Sequence, residues 1–407
     1  MNLQGIGERP LRIGFLTPEY PTEAYNGGIG SYVCQMAHSL AELGHSVFVL
    51  LAVPSGEGVF WDGPVPIHKV SLPAFAARLP EPLAKCSRLI FARRLAIMAE
   101  ELSLDVLEAP EFGGLTAFLS LVKPPDLRVV VRLHACSAIC RSLDSHGRTS
   151  VKNRLRNAAQ DWLERRAIQT ADSVTAISRA TVELTRRALR LGRGDFHVTP
   201  NPVNDLFFSP AESRPAAGEP LVLFAGRLQW LKGPDILIKA ALSLLEQNPN
   251  AQFCLAGGDT NTAPGGTSLR AYLSSLIPQK AQARIEFTGF LKPEQLLKKY
   301  HEATVCVFPS RWEGFGLVAA EAMACGKAVV VSDTPGFREL ISEGVTGLFA
   351  KDDGPEGLAL SISVLLSDSR LRQALGAAAS EDVRKRFTGR VAGKSMLNVY
   401  REAMASA

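Results

Sequence analysis

Several things are scarce in this sequence, and each scarcity removes a class of function. No apolar run reaches the roughly 20 residues that a helix needs to span a bilayer, so a membrane-spanning protein is not expected. The opening MNLQGIGERPLRIGFL lacks the basic start and long apolar core of a signal peptide, which points to a cytoplasmic protein. Charge of one sign is also scarce. Lys and Arg total 45 against 40 Asp and Glu, and a net +5 is too mild to suggest nucleic acid. The seven cysteines (Cys34, Cys86, Cys136, Cys140, Cys254, Cys306, Cys325) form no CxxC pair. They read as reduced, mostly buried thiols rather than a disulfide frame or a zinc site. There is no HExxH, no Ser-His-Asp order and no DxD-like acidic pair beside a strand, so a catalytic metal has no obvious ligands and no metal is expected.

What is present is alternation. At 407 residues the chain exceeds one ordinary core, and its 46% hydrophobic and 21% charged content is that of a soluble globular protein. LRIGFLTP reads as a strand ended by Pro18. GIGSYVCQMAHSLAELGH reads as a helix with Val33, Met36, Ala37, Leu40 and Leu43 on one face, closed by Gly44. SVFVLLAV, DVLEAP, RVVVRLHA and DSVTAIS read as further strands, with a helix over 150–170 before the last. Residues 200–220, rich in Pro, Ser, Ala and Gly, read as an interdomain linker. The pattern then restarts with the strands PLVLFAGRL, AQFCLAGGD, RIEFTGF, TVCVFPS and KAVVVSD. Two doubly wound α/β domains of parallel strands follow, with a cleft between them and ligands beyond the C-terminal strand ends. The domains are placed at 1–203 and 204–386, with a separate final helix over 387–407. Gly389 and Gly393 suggest a break between two helices there.

Four features can carry chemistry. NGGIGSY, Asn26 to Tyr32, precedes a helix, so the N–H groups around Gly27 and Gly28 suit phosphate oxygens, although glycines in such a loop also serve turn geometry alone. It fails as a dinucleotide fingerprint, because the third glycine position is Val33 and eight residues separate strand from glycines; a nicotinamide enzyme is disfavoured. Arg227 and Lys232 follow the first strand of the second half, in a loop that opens a helix, where two cations suit a diphosphate. Gly226 and Gly233 beside them let a ligand approach the backbone. In SRWEGFGLVAAEAMACGKAVVVSD, Glu313 sits in a Gly-rich turn and Glu321 is the one charge of an apolar helix. Each needs a partner, either protein or ligand: sugar hydroxyls for Glu313, and ribose hydroxyls or an Arg or Lys for Glu321. His134 ends an apolar strand at a C-terminal edge.

Taken in order, GGIGSY, the His134 strand end, PNPV (200–203), GRLQWLKG and EGFGLVAAEAMACGKAVVVSD resemble the retaining glycosyltransferases of the GT-B fold in the large family 4 group, over nearly the whole chain. Glu313 and Glu321, with seven residues between them, match that family's E-x7-E motif, and PGFREL fits the turn after the next strand. The resemblance implies that Arg227 and Lys232 hold the donor diphosphate and stabilise the leaving nucleotide. It implies that Glu313 contacts sugar hydroxyls, with backbone amides of Gly314, Phe315, Gly316 and Leu317 around sugar and phosphate, and that Glu321 binds the ribose. By the same resemblance Gly27 or Gly28 approaches the phosphate from the other domain, His134 meets the sugar near the reacting carbon, and the last helix crosses back to the N-terminal domain. Both glutamates would then pair with ligand hydroxyls. The chain departs from the family at Pro202, where glycine is usual; proline fixes φ and removes a donor.

The function expected from this resemblance is transfer of a hexose from a nucleotide diphosphate sugar, UDP- or GDP-linked, to a saccharide or lipid-linked glycan. Configuration would be retained, with Arg227, Lys232 and a helix N-terminus doing the work of a metal. A non-catalytic nucleotide-sugar-binding protein and a GT-B sugar epimerase are the alternatives. Two basic stretches, Phe75 to Ala96 and Ser145 to Arg166, mix Arg and Lys with apolar residues. Such faces suit peripheral contact with anionic membrane at the inner surface, or simply solvated helix faces.

Overall fold

The computed structural model describes residues 9–21, 27–71, 81–143, 151–210, 218–352 and 354–405, with backbone alone for 81–86 and 151–152. Of the two basic stretches, the part from Phe75 to Leu83 and Lys85 and the part before Asn153 therefore lie outside the described side chains. The chain divides into two compact units. One comprises Met1–Arg141, Thr149–Pro202 and Gly389–Ala407; the other comprises Val203–Thr388 with Ser142–Arg148.

The first unit carries an eight-stranded sheet. Its strands are β1 (Arg12–Thr17), β2 (Ser46–Val53), β3 (Gly58–Asp62), β4 (Val65–Ser71), β5 (Val106–Pro110), β6 (Arg128–Leu133), β7 (Ser173–Ala176) and β8 (His197–Val198). Their order is β3-β4-β2-β1-β5-β6-β7-β8. β1 is central, with Ile13 opposite both Val47 and Val106. The interior strands β2 and β6 carry long apolar runs, as expected where helices cover both faces of a parallel sheet. The helices are α1 (Gly28–Glu42), α2 (Glu81–Glu101), α3 (Ser137–Leu143), α4 (Val151–Gln169) and α5 (Arg179–Leu189). Of the expected face of α1, Val33, Met36, Ala37 and Leu40 are buried and Leu43 is half-buried, and Gly44 ends the turn at φ +89°. The β3–β4 hairpin went unread in the sequence. It is the antiparallel edge of the sheet, turned at Gly63-Pro64, and it leaves Val59 and Trp61 in solvent.

The second unit carries six parallel strands in the order β11-β10-β9-β12-β13-β14. They are β9 (Leu221–Ala225), β10 (Gln252–Ala256), β11 (Ile285–Gly289), β12 (Val305–Phe308), β13 (Val329–Val331) and β14 (Leu348–Phe349). Around them stand α6 (Pro234–Gln247), α7 (Leu269–Ser275), α8 (Pro293–Glu302), α9 (Leu317–Ala324), α10 (Pro335–Leu340), α11 (Pro355–Ser367) and α12 (Ser369–Arg386). This strand-helix order in both units is the doubly wound architecture read from the sequence.

Two readings need correction. The described start of the 200–220 stretch, residues 200–210, is not a plain linker. Asn201 is buried and accepts from Arg132, Val203 bridges Thr388, and Phe207 packs edge-on against Tyr300. Nor do Gly389 and Gly393 break a helix. The break falls at Phe387–Thr388, and both glycines lie within α13 (Gly389–Ala405), which belongs to the first unit and packs on α1. A β-carbon at Gly389 would meet Ser39 Oγ at 2.1 Å, and one at Gly393 would meet Leu43 at 3.0 Å. The glycines let two helices approach, a packing demand that looks like a helix breaker in sequence. α13 is then pinned by Tyr400, whose hydroxyl donates to the buried Glu108 carboxylate at 2.5 Å.

Candidate functional site

In the second unit the candidate residues gather at the C-terminal ends of β9 and β12. β9 ends in Gly226, at φ +140°, and Arg227 follows it on the exposed turn. A one-turn helix, Trp230–Lys232, then leads through Gly233 into α6. Gly233 is at φ +66°, and a β-carbon there would stand 1.9 Å from the Pro309 carbonyl, so only glycine lets this loop press on the end of β12. The contact delivers Lys232 to Glu313: its Nζ donates to Oε2 at 2.7 Å. Both side chains are largely withdrawn from water, 21% and 11% exposed, so the ion pair is screened less than a surface pair.

Arg311 holds the loop in this shape, a role the sequence did not disclose. It forks onto Asp235 at 2.8 and 2.7 Å, donates to the Trp230 carbonyl at 2.6 Å and stacks on the Trp230 ring at 4.2 Å. The available signal was the acid two residues into α6, in GPD, opposite an arginine two residues before Glu313.

Past Glu313 the chain turns through Gly314, Phe315 and Gly316. Phe315 is a core residue, edge-on to Phe387 at 5.2 Å, so only its backbone is available to a ligand. Gly316 sits at φ +91° against Phe337 and starts α9 without a side-chain cap, which leaves the N–H groups at Leu317 and Val318 for another acceptor. One turn on, Glu321 lies beside Tyr300, whose hydroxyl is 3.3 Å from Oε2 and 2.9 Å from the Val318 carbonyl. A phenol has one proton and serves one acceptor at a time, so this carboxyl is poorly satisfied as an anion. Burial pushes it up to about 8, against the opposing hydrogen bond from Tyr300. Within the protein, Glu313 pairs with Lys232 and Glu321 lies beside Tyr300. A cleft of about 240 Å³ beside β13, lined by Ser310, Arg311, Ser332, Thr334 and Asp352 among others, includes neither Glu313 nor Lys232.

The first unit places Gly27, Gly28 and His134. Gly27 and Gly30 donate their N–H groups to the Glu19 carboxylate at 3.1 and 2.9 Å. The protein itself thus places a carboxylate at this helix start. Gly28 differs: a β-carbon there would meet nothing within 4 Å among the described residues. His134 follows β6, lies edge-on to Tyr32 at 5.3 Å, and donates its backbone N–H to Glu111. Burial, with Arg132 nearby, holds its imidazole well below the ordinary range, so it is neutral. Glu111 is pushed up to about 8, chiefly by burial and also by Glu164. Beneath them Arg132 is fully buried, bonded to Thr199 and Asn201 and stacked on Tyr32 at 4.1 Å.

Residues 207–382 match the family model described as glycosyl transferases group 1, and residues 27–202 match that of the glycosyl transferase 4-like domain. The chain belongs to the group 1 glycosyltransferases. This glycosyltransferase is 31% identical over 253 residues to a D-inositol 3-phosphate glycosyltransferase of Nocardiopsis dassonvillei. The match covers 60% of this chain and 58% of the relative, so it spans little more than half of that curated protein. Among solved structures, sucrose-phosphate synthase from Thermosynechococcus elongatus superposes with a TM-score of 0.78 at 24% identity, covering 98% of this chain and all of the other. HepE from Anabaena, in complex with UDP-glucose, gives 0.68 at 19% identity, with 98% and 100% covered. These two likenesses establish the GT-B fold.

Proposed function

We propose that the chain moves a hexose from a nucleotide diphosphate sugar, UDP- or GDP-linked, to a saccharide or lipid-linked glycan, with retention of configuration and without a metal at the donor. The observation that carries this is the Lys232–Glu313 pair next to the uncapped start of α9. It is a cation already oriented where a diphosphate can take over its charge, beside N–H groups that favour an anion. HepE, the neighbour solved with UDP-glucose, supports the donor class.

In this reading the bond between the anomeric carbon and the diphosphate breaks, and charge grows on the departing oxygen. Lys232, Arg227 and the amides at Gly316 and Leu317 stabilise it, which is the work a metal does elsewhere. The acceptor hydroxyl attacks the same sugar face and its proton passes to the leaving phosphate. Glu313 turns to sugar hydroxyls, with Gly314 and Phe315 contributing backbone, and Glu321 takes the ribose. Neutral His134 hydrogen-bonds the sugar near its reacting carbon, and Gly28 admits the phosphate more readily than Gly27, which Glu19 occupies.

A cytoplasmic site at the inner membrane face belongs to the same proposal. Leu89, Ile90, Arg93 and Ile97 of α2 stand in solvent, and none of the described helices is long and apolar enough to cross a bilayer. Turnover of a UDP- and GDP-sugar panel, with and without chelator, tests donor and metal. The anomeric configuration of the product by NMR tests retention, and an inverted product overturns it.

A further inference from the structure

We propose that Cys34, His38 and Asp62 bind a divalent cation of the zinc class. None of the three is among the residues assigned to sugar transfer. Cys34 and His38 lie one turn apart on α1, so they share a face, and Asp62 ends β3 opposite them. Asp62 Oδ2 is 3.7 Å from Cys34 Sγ and 3.7 Å from His38 Nε2, and one ligand atom from each residue falls within 4.8 Å of the others. Around tetrahedral zinc, bond lengths of 2.0–2.3 Å put ligand atoms about 3.3–3.6 Å apart. Small side-chain adjustments close the gap.

The surroundings fit a ligand set rather than a chance meeting. His38 Nδ1 is 2.9 Å from the Cys34 carbonyl, which has no proton to give. Nδ1 must therefore donate, which leaves Nε2, the nitrogen that faces Asp62, to meet a metal in exchange for its proton. A metal-binding histidine is oriented in the same way, by a hydrogen bond from its other nitrogen. The fully buried Tyr20 donates its hydroxyl to Asp62 Oδ2 at 2.6 Å and fixes that carboxylate in turn. Gly63 turns the hairpin beside the His38 ring at φ +57°, a conformation that favours glycine. The His38 and Asp62 side chains are 31% and 29% exposed, which leaves an entry path and room for water as a fourth ligand. A sulfur, nitrogen and oxygen set selects zinc over magnesium or calcium, which take oxygen. Bound there, the ion would clip the edge hairpin to α1.

The test is titration of Co²⁺ into reduced, chelator-stripped full-length protein. The expected result is a thiolate-to-cobalt absorption band saturating at one equivalent, displaced by Zn²⁺, and a melting temperature raised by Zn²⁺. Cys34→Ser should abolish the band. His38→Ala and Asp62→Asn should weaken affinity by about tenfold or more, as lost contacts at metal sites do. Cys140→Ser, which alters another partly buried thiol, should leave the band intact. A wild type without the band, or a Cys34→Ser variant that keeps it, overturns the proposal. If Cys34→Ser does not fold, unchanged affinity in both other variants overturns it equally.

Discussion

The two units offer the same device, a helix start beyond a strand end, and use it differently. At α1 the chain fills the start with its own carboxylate, Glu19 on Gly27 and Gly30. At α9 no side chain caps the start, and the nearby acid, Glu313, is turned to Lys232. An anion arriving at α1 must displace or avoid a covalently tethered competitor. One arriving at α9 meets unpaired N–H groups and a cation held in place. In the proposed reading, diphosphate recognition therefore falls to the second unit.

The largest effect should come from Lys232→Ala. Loss of a preorganised charge stabiliser lowers kcat by about 100- to 1,000-fold. A change under tenfold in steady-state kinetics would shift the burden to Arg227 or the amides. Next, Glu19→Gln removes the anion at α1 but keeps its shape. If the tethered carboxylate competes with donor phosphate, donor KM should fall severalfold; a raised KM would show that Glu19 serves binding instead. Gly28→Ala should be smaller still. With no atom in its way it should change stability by less than about 0.5 kcal/mol, yet it should raise donor KM if phosphate passes there. Unchanged kinetics would confine recognition to the second unit.

A pH experiment sharpens the same contrast. Glu321 titrates at about 8 in the folded chain, against about 4.3 for an unfolded glutamate. Between those values the folded state binds the extra proton, so stability contributed by the neutral carboxyl is present below about 4.3 and falls as pH rises through 8. Glu321→Gln should flatten part of that decline in denaturant melts of the ligand-free protein. Glu111, also at about 8, has the same sign and keeps the remainder. An unchanged slope would mean that Glu321 is ionised in the folded chain.

Much of the fold was legible because the central strands are continuous apolar runs and the helices are amphipathic, as in α1. The β3–β4 hairpin was missed because β3 is short and largely exposed, although Gly63-Pro64 is a turn signal between the strands. At the candidate site, the pairings were not legible. Lys232 and Glu313 are 81 positions apart, Arg311 and Asp235 are 76, and no local pattern links them. The glycines of α13 misled because close helix packing and helix breaking call for the same residue. Cys34 and His38 show helical spacing, but their third companion comes from the unread hairpin.

The most direct measurement is calorimetric titration of UDP-, GDP- and ADP-sugars into wild type, Lys232→Ala and Glu321→Gln. One base should bind the wild type, with affinity falling at least tenfold in both variants. If no sugar nucleotide binds, or if all three proteins bind alike, the donor site is not where Lys232, Glu313 and Glu321 lie.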